Sequence, residues 1–181
     1  VIESVDMLKG NTSGDLWTVC RELSCRMLML AGIGDRDECG RLVDEAVKSG
    51  KALKRFEMMV KLQGGDVSYI EDTSKFRKAS FSREVYAPAD GYITHMDSEK
   101  IGLTAVLLGA GREKKDDDIN HAAGIIIAAK AGDFVKRGEL LATLFADDES
   151  RLDGAESRYL SAVSIGDKKP AEQPMILDYI D

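Results

Sequence analysis

The sequence has few of the residues that usually form cross-links or act as nucleophiles. Its 181 residues include three cysteines and two histidines. Cys20, Cys25 and Cys39 are odd in number and form no CxxC pair, which favours reduced thiols in a cytosolic protein. We interpret them as small apolar side chains of a helical region rather than as catalytic groups. His95 and His121 are far apart, and no Ser or Cys stands in a nucleophile motif, so the sequence does not support a catalytic dyad.

Long hydrophobic runs and an excess of positive charge are also lacking. No apolar stretch reaches the roughly 20 residues that a membrane-spanning helix needs. The formal net charge is −7, which disfavours nucleic acid as a partner. We therefore expect a cytoplasmic globular protein with neither a membrane nor a nucleic-acid partner. The chain starts at Val1, without Met, inside a predicted helix, so we expect a piece of a longer protein.

Apolar residues at helical spacing predict a helical first part. The first predicted helix covers residues 1–9, and the second starts at Asp15 as its N-cap. A third starts after the N-cap Asp35 and ends at Gly50, a fourth ends at residues 64–65, and a short helical turn follows Asp66. The faces hold no polar cluster, which indicates a packing layer. The predicted apolar face of the second helix consists of Leu16, Val19, Leu23, Met27 and Leu30.

The second part is predicted to be rich in strands. Residues 71–82 lose periodicity and gain charge, Ser and Thr, which is typical of a domain boundary. Turn residues and apolar segments beyond them predict a small β-barrel or sandwich. A helix from Asp97 or Ser98 to Gly109 and another over 149–163, with an acidic start at 147–149, complete the prediction. The predicted strands cover residues 92–96, 122–129 (buried), 140–145 and 175–180.

An ordered series of spaced segments runs through most of the chain. It begins at Glu3 and residues 8–10, passes through Phe56, Met59 and residues 63–66, and continues through the strand-rich part at 85–87, 91, 101–102, 108–112, 118–119, 124, 132–135 and 138–139. This series resembles the C-terminal part of the thymidine and pyrimidine-nucleoside phosphorylases.

The resemblance implies an α+β fold in two parts. Residues 1–77 would be the helical part of a large α/β domain, truncated at its N-terminus. Residues 78–181 would be an α/β-hammerhead domain of barrel-sandwich type. The family reversibly cleaves thymidine or uridine with phosphate, giving the free base and a pentose 1-phosphate, and works as a homodimer. Its phosphate and base sites would lie upstream of Val1, so we assign no catalytic or substrate-binding residue and expect the fragment alone to be inactive.

The resemblance also implies two sites in this chain. Glu3 would be a ligand of a potassium ion in the intact protein, although by itself it reads as a solvated carboxylate; no organic cofactor is implied. Gly109, Gly111 and Arg112 would belong to a mobile loop that orders when the domains close over substrate. Without the resemblance they read as a surface loop. Because a predicted helix precedes this loop, its negative end disfavours a phosphate cradle.

Two other interpretations stay open at this point. The segments around Gly91 and Gly132 also look like the half-motifs of biotinyl and lipoyl carrier domains, in which Lys114 or Lys115 would be the modified residue. The surroundings of these lysines do not match a carrier motif. A non-catalytic scaffold domain is the third interpretation. The acidic run 116–118 lacks the spacing of a calcium loop and is read as solvated.

Overall fold

The computed structural model describes residues 1–112 and 114–179, which fall into two compact units. The helical unit comprises Val1–Phe76 together with Gln173–Asp181, and the β-rich unit comprises Arg77–Glu172. Helices and two small antiparallel sheets make up the elements, so the expected α+β class is confirmed. The second part was predicted to cover residues 78–181, whereas the described residues 173–179 group with the helices.

The helical unit is built from five helices and one 3₁₀ turn. Asp35 begins α3 as predicted, because its carboxylate accepts a hydrogen bond from the Glu38 amide at 2.8 Å. Asp15 is not the N-cap of α2; Gly14 takes that position, and Asp15 lies in the first turn. The elements are α1 Ile2–Leu8, α2 Asp15–Leu30, α3 Arg36–Lys48, α4 Lys51–Leu62, α5 Ser68–Glu71 and the 3₁₀ turn Thr73–Lys75.

Few side chains are buried inside the helical unit. Cys25 and Cys39 lie among them, and their thiols approach the backbone carbonyls of Arg36 and Gly34 at 3.4 and 3.5 Å. All three cysteines are free, and burial raises the pKa of Cys39. Cys25 and Cys39 are therefore packing residues, as the sequence indicated. The buried hydrophobic residues of this unit are Val5, Cys25, Cys39, Val43, Val47 and Ile70.

Much of the predicted apolar face of α2 is exposed. Leu23, Met27 and Leu30 are exposed by 60%, 70% and 90%. We call these three residues the α2 stripe. The helix forms as predicted, but the expectation of a packed face is wrong for this half of it, because α3 packs against another side, where Arg21 forms a two-bond ion pair with Asp44.

The C-terminal segment packs on α2 and α3 through one aromatic ring. The guanidinium of Arg26 lies 3.9 Å from the Tyr179 ring centroid, and that of Arg36 lies 5.1 Å away. Arg36 also donates a hydrogen bond to the Tyr179 hydroxyl at 2.9 Å. The predicted closing strand is wrong for residues 175–179, which form no strand, and Ile180 lies outside the described residues. Cation–π contacts hold this segment instead of a β-ladder.

The β-rich unit holds two three-stranded antiparallel sheets. Their strand orders are β1-β5-β3 and β4-β2-β6. The elements are β1 Phe81–Tyr86, β2 Gly91–Met96, α6 Ser98–Ala105, the π turn Val106–Ala110, β3 Gly124–Ile127, β4 Phe134–Val135, β5 Leu140–Ala146, α7 Ser150–Ala162 and β6 Val163–Gly166. The predicted helices and the strands at 92–96 and 140–145 are confirmed, and Asp97 is the N-cap of α6.

Three details of this unit differ from the sequence prediction. β3 forms within the predicted segment but is not buried, since Ile126 and Ile127 lie exposed on an edge strand and β5 is central. β1 begins at Phe81, inside the predicted boundary segment. α7 ends at Ala162, and Val163 starts a strand that pairs with β2.

One connected core joins the sheets and α7. Tyr159 of α7 is fully buried in it, with its hydroxyl 3.5 Å from the Leu141 carbonyl oxygen. Gly91 permits a close approach between β2 and β6: its φ is 151°, and a Cβ there would lie 2.7 Å from the Ile165 side chain. The core residues are Val85, Ala87, Ile93, Leu108, Ala129, Val135, Leu141, Ala142, Leu144, Ala146, Leu152, Ala155 and Tyr159.

Candidate functional site

The π turn after α6 leads into a loop formed by residues 109–120, which ends before β3. We call it the 109–120 loop. Gly109 has φ 105°, a conformation that favours glycine, and its carbonyl oxygen accepts a hydrogen bond from the Asn120 amide at 2.9 Å. This bond joins the two ends of the loop. Gly109 therefore supplies the backbone conformation that the loop base requires.

The guanidinium of Arg151, on α7, lies beside the π turn that follows α6. Arg151 donates a hydrogen bond to the Leu107 carbonyl oxygen at 3.2 Å. Carbonyl groups at a helix end carry partial negative charge, so a guanidinium is favourable there. The guanidinium thus satisfies one of the carbonyl groups at the end of this helical segment.

Gly111 and Arg112 differ from Gly109 in what they contribute. Gly111 is extended, with φ −143°, so it needs no unusual conformation. A Cβ at this position would lie 2.7 Å from Cγ2 of Val106, so the requirement for glycine is one of space. Arg112 is exposed. The predicted loop residues thus lie together, but only the first acts through a left-handed backbone conformation.

The base of the loop is held by a carboxylate that sequence reasoning missed. Asp147 follows β5 and accepts hydrogen bonds from the Ser80 amide and hydroxyl at 2.8 and 2.9 Å. It also accepts one from the Asn120 side-chain amide at 2.7 Å, and it pairs with Arg77. The Ser80 amide and then its hydroxyl, with Arg77 and Asn120 contributing further, lower the pKa of Asp147 to about 2.

The sequence contained only a partial signal for Asp147. The acidic run 147–149 was read as the start of a helix. Asp148 fits that reading, because its carboxylate accepts from the Ser150 amide at 3.0 Å and from its hydroxyl at 2.6 Å. Asp147 instead contacts groups 27 and 67 residues away in sequence. No local pattern distinguishes these two neighbours.

Lys114 and Asp117 form a local turn inside the loop. The Lys114 amide donates to the Asp117 carboxylate at 2.8 Å, and the Asp117 amide donates to the Lys114 carbonyl at 3.1 Å. Carrier domains present their lysine at the tip of a β-hairpin. Here α6, a π turn and a loop separate β2 from β3. This arrangement does not support a carrier role for Lys114 or Lys115.

Glu3 and the histidines lie apart from the loop in different elements. Glu3 is exposed in the first turn of α1. His95 is exposed on β2, and His121 is exposed just before β3. Over residues 1–112 and 114–179, no group of three or more His, Cys, Asp or Glu side chains is placed to hold a metal ion. Glu3 belongs to no such group.

Comparison with known proteins assigns the chain to a family. Residues 92–166 match the model of the pyrimidine nucleoside phosphorylase C-terminal domain. The pyrimidine-nucleoside phosphorylase of Bacillus subtilis (strain 168) is 40% identical over 151 residues, covering 83% of this chain and 35% of that protein. The chain belongs to the pyrimidine-nucleoside phosphorylase family. It matches the C-terminal portion of that family, as the resemblance implied.

Two further phosphorylases support this membership. The pyrimidine-nucleoside phosphorylase of Geobacillus stearothermophilus is 33% identical over 178 residues, which are 98% of this chain and 41% of that protein. The one of Staphylococcus aureus (strain USA300) is 36% identical over 166 residues, or 91% and 38%. The chain thus spans 35% to 41% of the length of these curated relatives. The carrier and scaffold interpretations are not favoured.

No helix within the described part of the chain combines the length and apolar character needed to cross a bilayer.

Proposed function

We propose that this chain is the C-terminal portion of an enzyme that reversibly cleaves thymidine or uridine with phosphate. In this reaction a phosphate oxygen attacks the anomeric carbon of the pentose, and the bond from that carbon to the base nitrogen breaks. The base leaves with the electron pair and takes up a proton, and the products are the free base and a pentose 1-phosphate. The protein is then a pentosyltransferase of nucleoside salvage.

The observation that carries this proposal is the extent of the match. Three phosphorylases align with 83% to 98% of the chain at 33% to 40% identity. The α2 stripe supports the idea that more protein belongs on the helical unit. Fully burying one Leu or Met side chain contributes about 1.5–3 kcal/mol, so an additional domain packed on the stripe would gain stability from it.

A chimera tests the proposed activity. The matched segment of the Bacillus subtilis relative is replaced by this chain, and release of thymine and uracil is measured with phosphate present. We expect turnover by the chimera and none by this chain alone. A chimera with a native circular dichroism spectrum but no turnover would contradict the proposal. Turnover by the pure chain would contradict the expectation that the fragment is inactive.

We also propose that Glu3 is one ligand of a potassium ion in the longer protein, with no organic cofactor. Its carboxylate suits a hard cation, and the resemblance implies that the companion ligands belong to the longer protein. In the chimera, Glu3→Gln should reduce the rise in melting temperature that potassium produces. Asp6→Asn is the matched control, because Asp6 is an exposed carboxylate on the same helix. An unchanged potassium effect in Glu3→Gln excludes the ligand role.

A third part of the proposal concerns the 109–120 loop, which would close over substrate in the longer enzyme. Arg112 is exposed and available for a charged contact across a cleft. Arg112→Ala in the chimera should lower turnover without changing the melting temperature. Arg137→Ala, which removes another exposed arginine of the same unit, should change neither quantity. Equal turnover in both variants would exclude a closure role for Arg112.

The intact enzyme is proposed to be a cytoplasmic homodimer that binds phosphate and a pyrimidine nucleoside, with neither nucleic acid nor membrane as a partner. Free cysteines support the cytoplasmic compartment, and the acidic net charge disfavours nucleic acid as a partner. Sedimentation of the chimera tests the oligomeric state, and a monomer at micromolar concentration would contradict it.

A further inference from the structure

Asp147 uses both carboxylate oxygens, and together they bind two different segments of the chain. Oδ1 accepts the two hydrogen bonds from Ser80. Oδ2 accepts the hydrogen bond from the Asn120 side chain and pairs with Arg77. Its side chain is 26% exposed, so solvent reaches this network only in part. Asp147, the first residue after β5, therefore contacts two segments that are far apart in the sequence.

The first of these segments is the entry to the β-rich unit. Arg77 is the first residue of that unit, and Ser80 comes directly before β1. The ladder between β1 and β5 has Phe81 opposite Ala146 as its outermost pair. The hydrogen bond from the Ser80 amide to Asp147 extends this ladder by one step through a side chain. It fixes the backbone where the chain enters the sheet.

The second segment is the base of the 109–120 loop. Asn120 is engaged by its backbone and by both ends of its side-chain amide. Its backbone amide donates to Gly109, its Oδ1 accepts from the Ala122 amide at 3.0 Å, and its Nδ2 donates to Asp147. Arg77 also donates to Oδ1 of Asn120 at 3.4 Å. The loop base is thus linked to the entry segment by a carboxylate and a guanidinium.

We propose that Asp147 is a positioning residue that couples the entry segment, Arg77 to Ser80, to the base of the 109–120 loop. When either segment loses its hold on the carboxylate, the other loses protection as well. This role goes beyond the proposed catalytic reaction, because it rests on contacts within this chain and can be tested without substrate. It gives the loop a fixed attachment to the point where the β-rich unit begins.

A carboxylate is required because all the partners donate. An ionised carboxylate only accepts, and it can take several hydrogen bonds at once. Asparagine at this position keeps one oxygen and presents an NH₂ group in place of the other. It can therefore satisfy either Ser80 or the pair of Arg77 and Asn120, and it turns a donor toward the remaining partner. Asp147→Asn is nearly isosteric, so it removes the coupling with little change in volume.

The test is amide hydrogen exchange of this chain followed residue by residue. Asp147→Asn should speed exchange at the amides of both Ser80 and Asn120, by roughly 3- to 10-fold, as expected for loss of a typical hydrogen bond. Asp148→Asn is the matched control: it removes the neighbouring carboxylate, whose contacts are local, and should leave both amides unchanged. Unchanged exchange at either amide in Asp147→Asn overturns the proposal.

Two remote variants distinguish coupling from two independent contacts. Asn120→Ala should speed exchange at the Ser80 amide, and Ser80→Ala should speed exchange at the Asn120 amide, each by about twofold or more. Independent contacts predict changes only on the mutated side, and that result overturns the proposal. These two variants decide the question alone if Asp147→Asn does not fold.

Discussion

In the β-rich unit the buried side chains form one connected cluster, whereas in the helical unit they are few and the α2 stripe faces solvent. The two units contain similar numbers of residues, but they differ in how much of their apolar surface is buried. The strands of the β-rich unit pair with one another in two sheets, and α7 packs against these sheets. The helices of the other unit form without a partner for part of their apolar surface. The β-rich unit therefore buries its apolar side chains within itself, whereas the helical unit leaves part of its apolar surface uncovered.

The same substitution in the two units should give the largest contrast. Leu144 is fully buried on the central strand β5, so Leu144→Ala should lower the free energy of unfolding of the β-rich unit by about 2–5 kcal/mol. Leu23 in the α2 stripe is exposed, so Leu23→Ala should change stability by about 0.5 kcal/mol or less. Urea titrations measure both, with Trp17 fluorescence reporting on α2 and hydrogen exchange on β5. Equal costs at the two positions would remove the distinction between the units.

Two glycines of the β-rich unit test whether the close approach of β2 and β6 matters for stability. Gly91 and Gly124 have similar φ values, 151° and 154°, but a Cβ at Gly91 would lie 2.9 Å from the Gly166 carbonyl oxygen and one at Gly124 meets nothing within 4 Å. Both alanine variants carry backbone strain, which costs on the order of 1–3 kcal/mol. We expect Gly91→Ala to be the less stable of the two in thermal unfolding, because it also separates β2 from β6. A Gly124→Ala variant as unstable as Gly91→Ala would show that the close approach is unimportant.

Acid titration compares one carboxylate from each unit. Asp147 has a pKa lowered to about 2 in the folded protein, against about 3.9 for an ordinary Asp. Its contribution is therefore complete above pH 4 and is lost as the pH falls toward 2. The stability gap between the wild-type protein and Asp147→Asn should close over that range.

Asp44 is the comparison in the helical unit. Its pKa is also lowered, chiefly by the hydrogen bond from Arg21, but the pair lies on the surface. Asp44→Asn should therefore show a smaller gap that closes in the same direction. Melting temperatures between pH 5 and 2 test both variants, and a gap for Asp147→Asn that widens on acidification would contradict the assignment.

The smallest expected effect concerns the C-terminal segment of the helical unit. Tyr179→Ala removes the cation–π contacts with Arg26 and Arg36, which contribute about 0.5–1 kcal/mol at an exposed site. We expect faster proteolysis of residues 173–179 with almost no change in global stability. Tyr179→Phe keeps the ring and should behave nearly like the wild type. Identical cleavage rates in Tyr179→Ala and the wild type would mean that the ring does not hold this segment.

The sequence by itself determined most elements and the family. Helical periodicity located the helices, and capping residues such as Asp35 and Asp97 set their starts. These signals are local, because capping and periodicity depend on residues within one or two turns. The ordered series of segments likewise identified the family before the fold was known. The resemblance also singled out Gly109, Gly111 and Arg112 as loop residues, but it did not distinguish the backbone requirement at Gly109 from the packing requirement at Gly111.

Only the tertiary structure decided which surfaces are buried and which distant groups meet. The apolar spacing of α2 is the same whether or not a partner covers it, so its exposure could not be read from the pattern. The run at 122–129 looked like a buried strand, yet its place at the edge of the order β1-β5-β3 leaves Ile126 exposed. Asp147 and Asp148 are identical residues in adjacent positions. Their different roles arise because the end of β5 brings Asp147, and not Asp148, within hydrogen-bonding distance of Ser80 and Asn120.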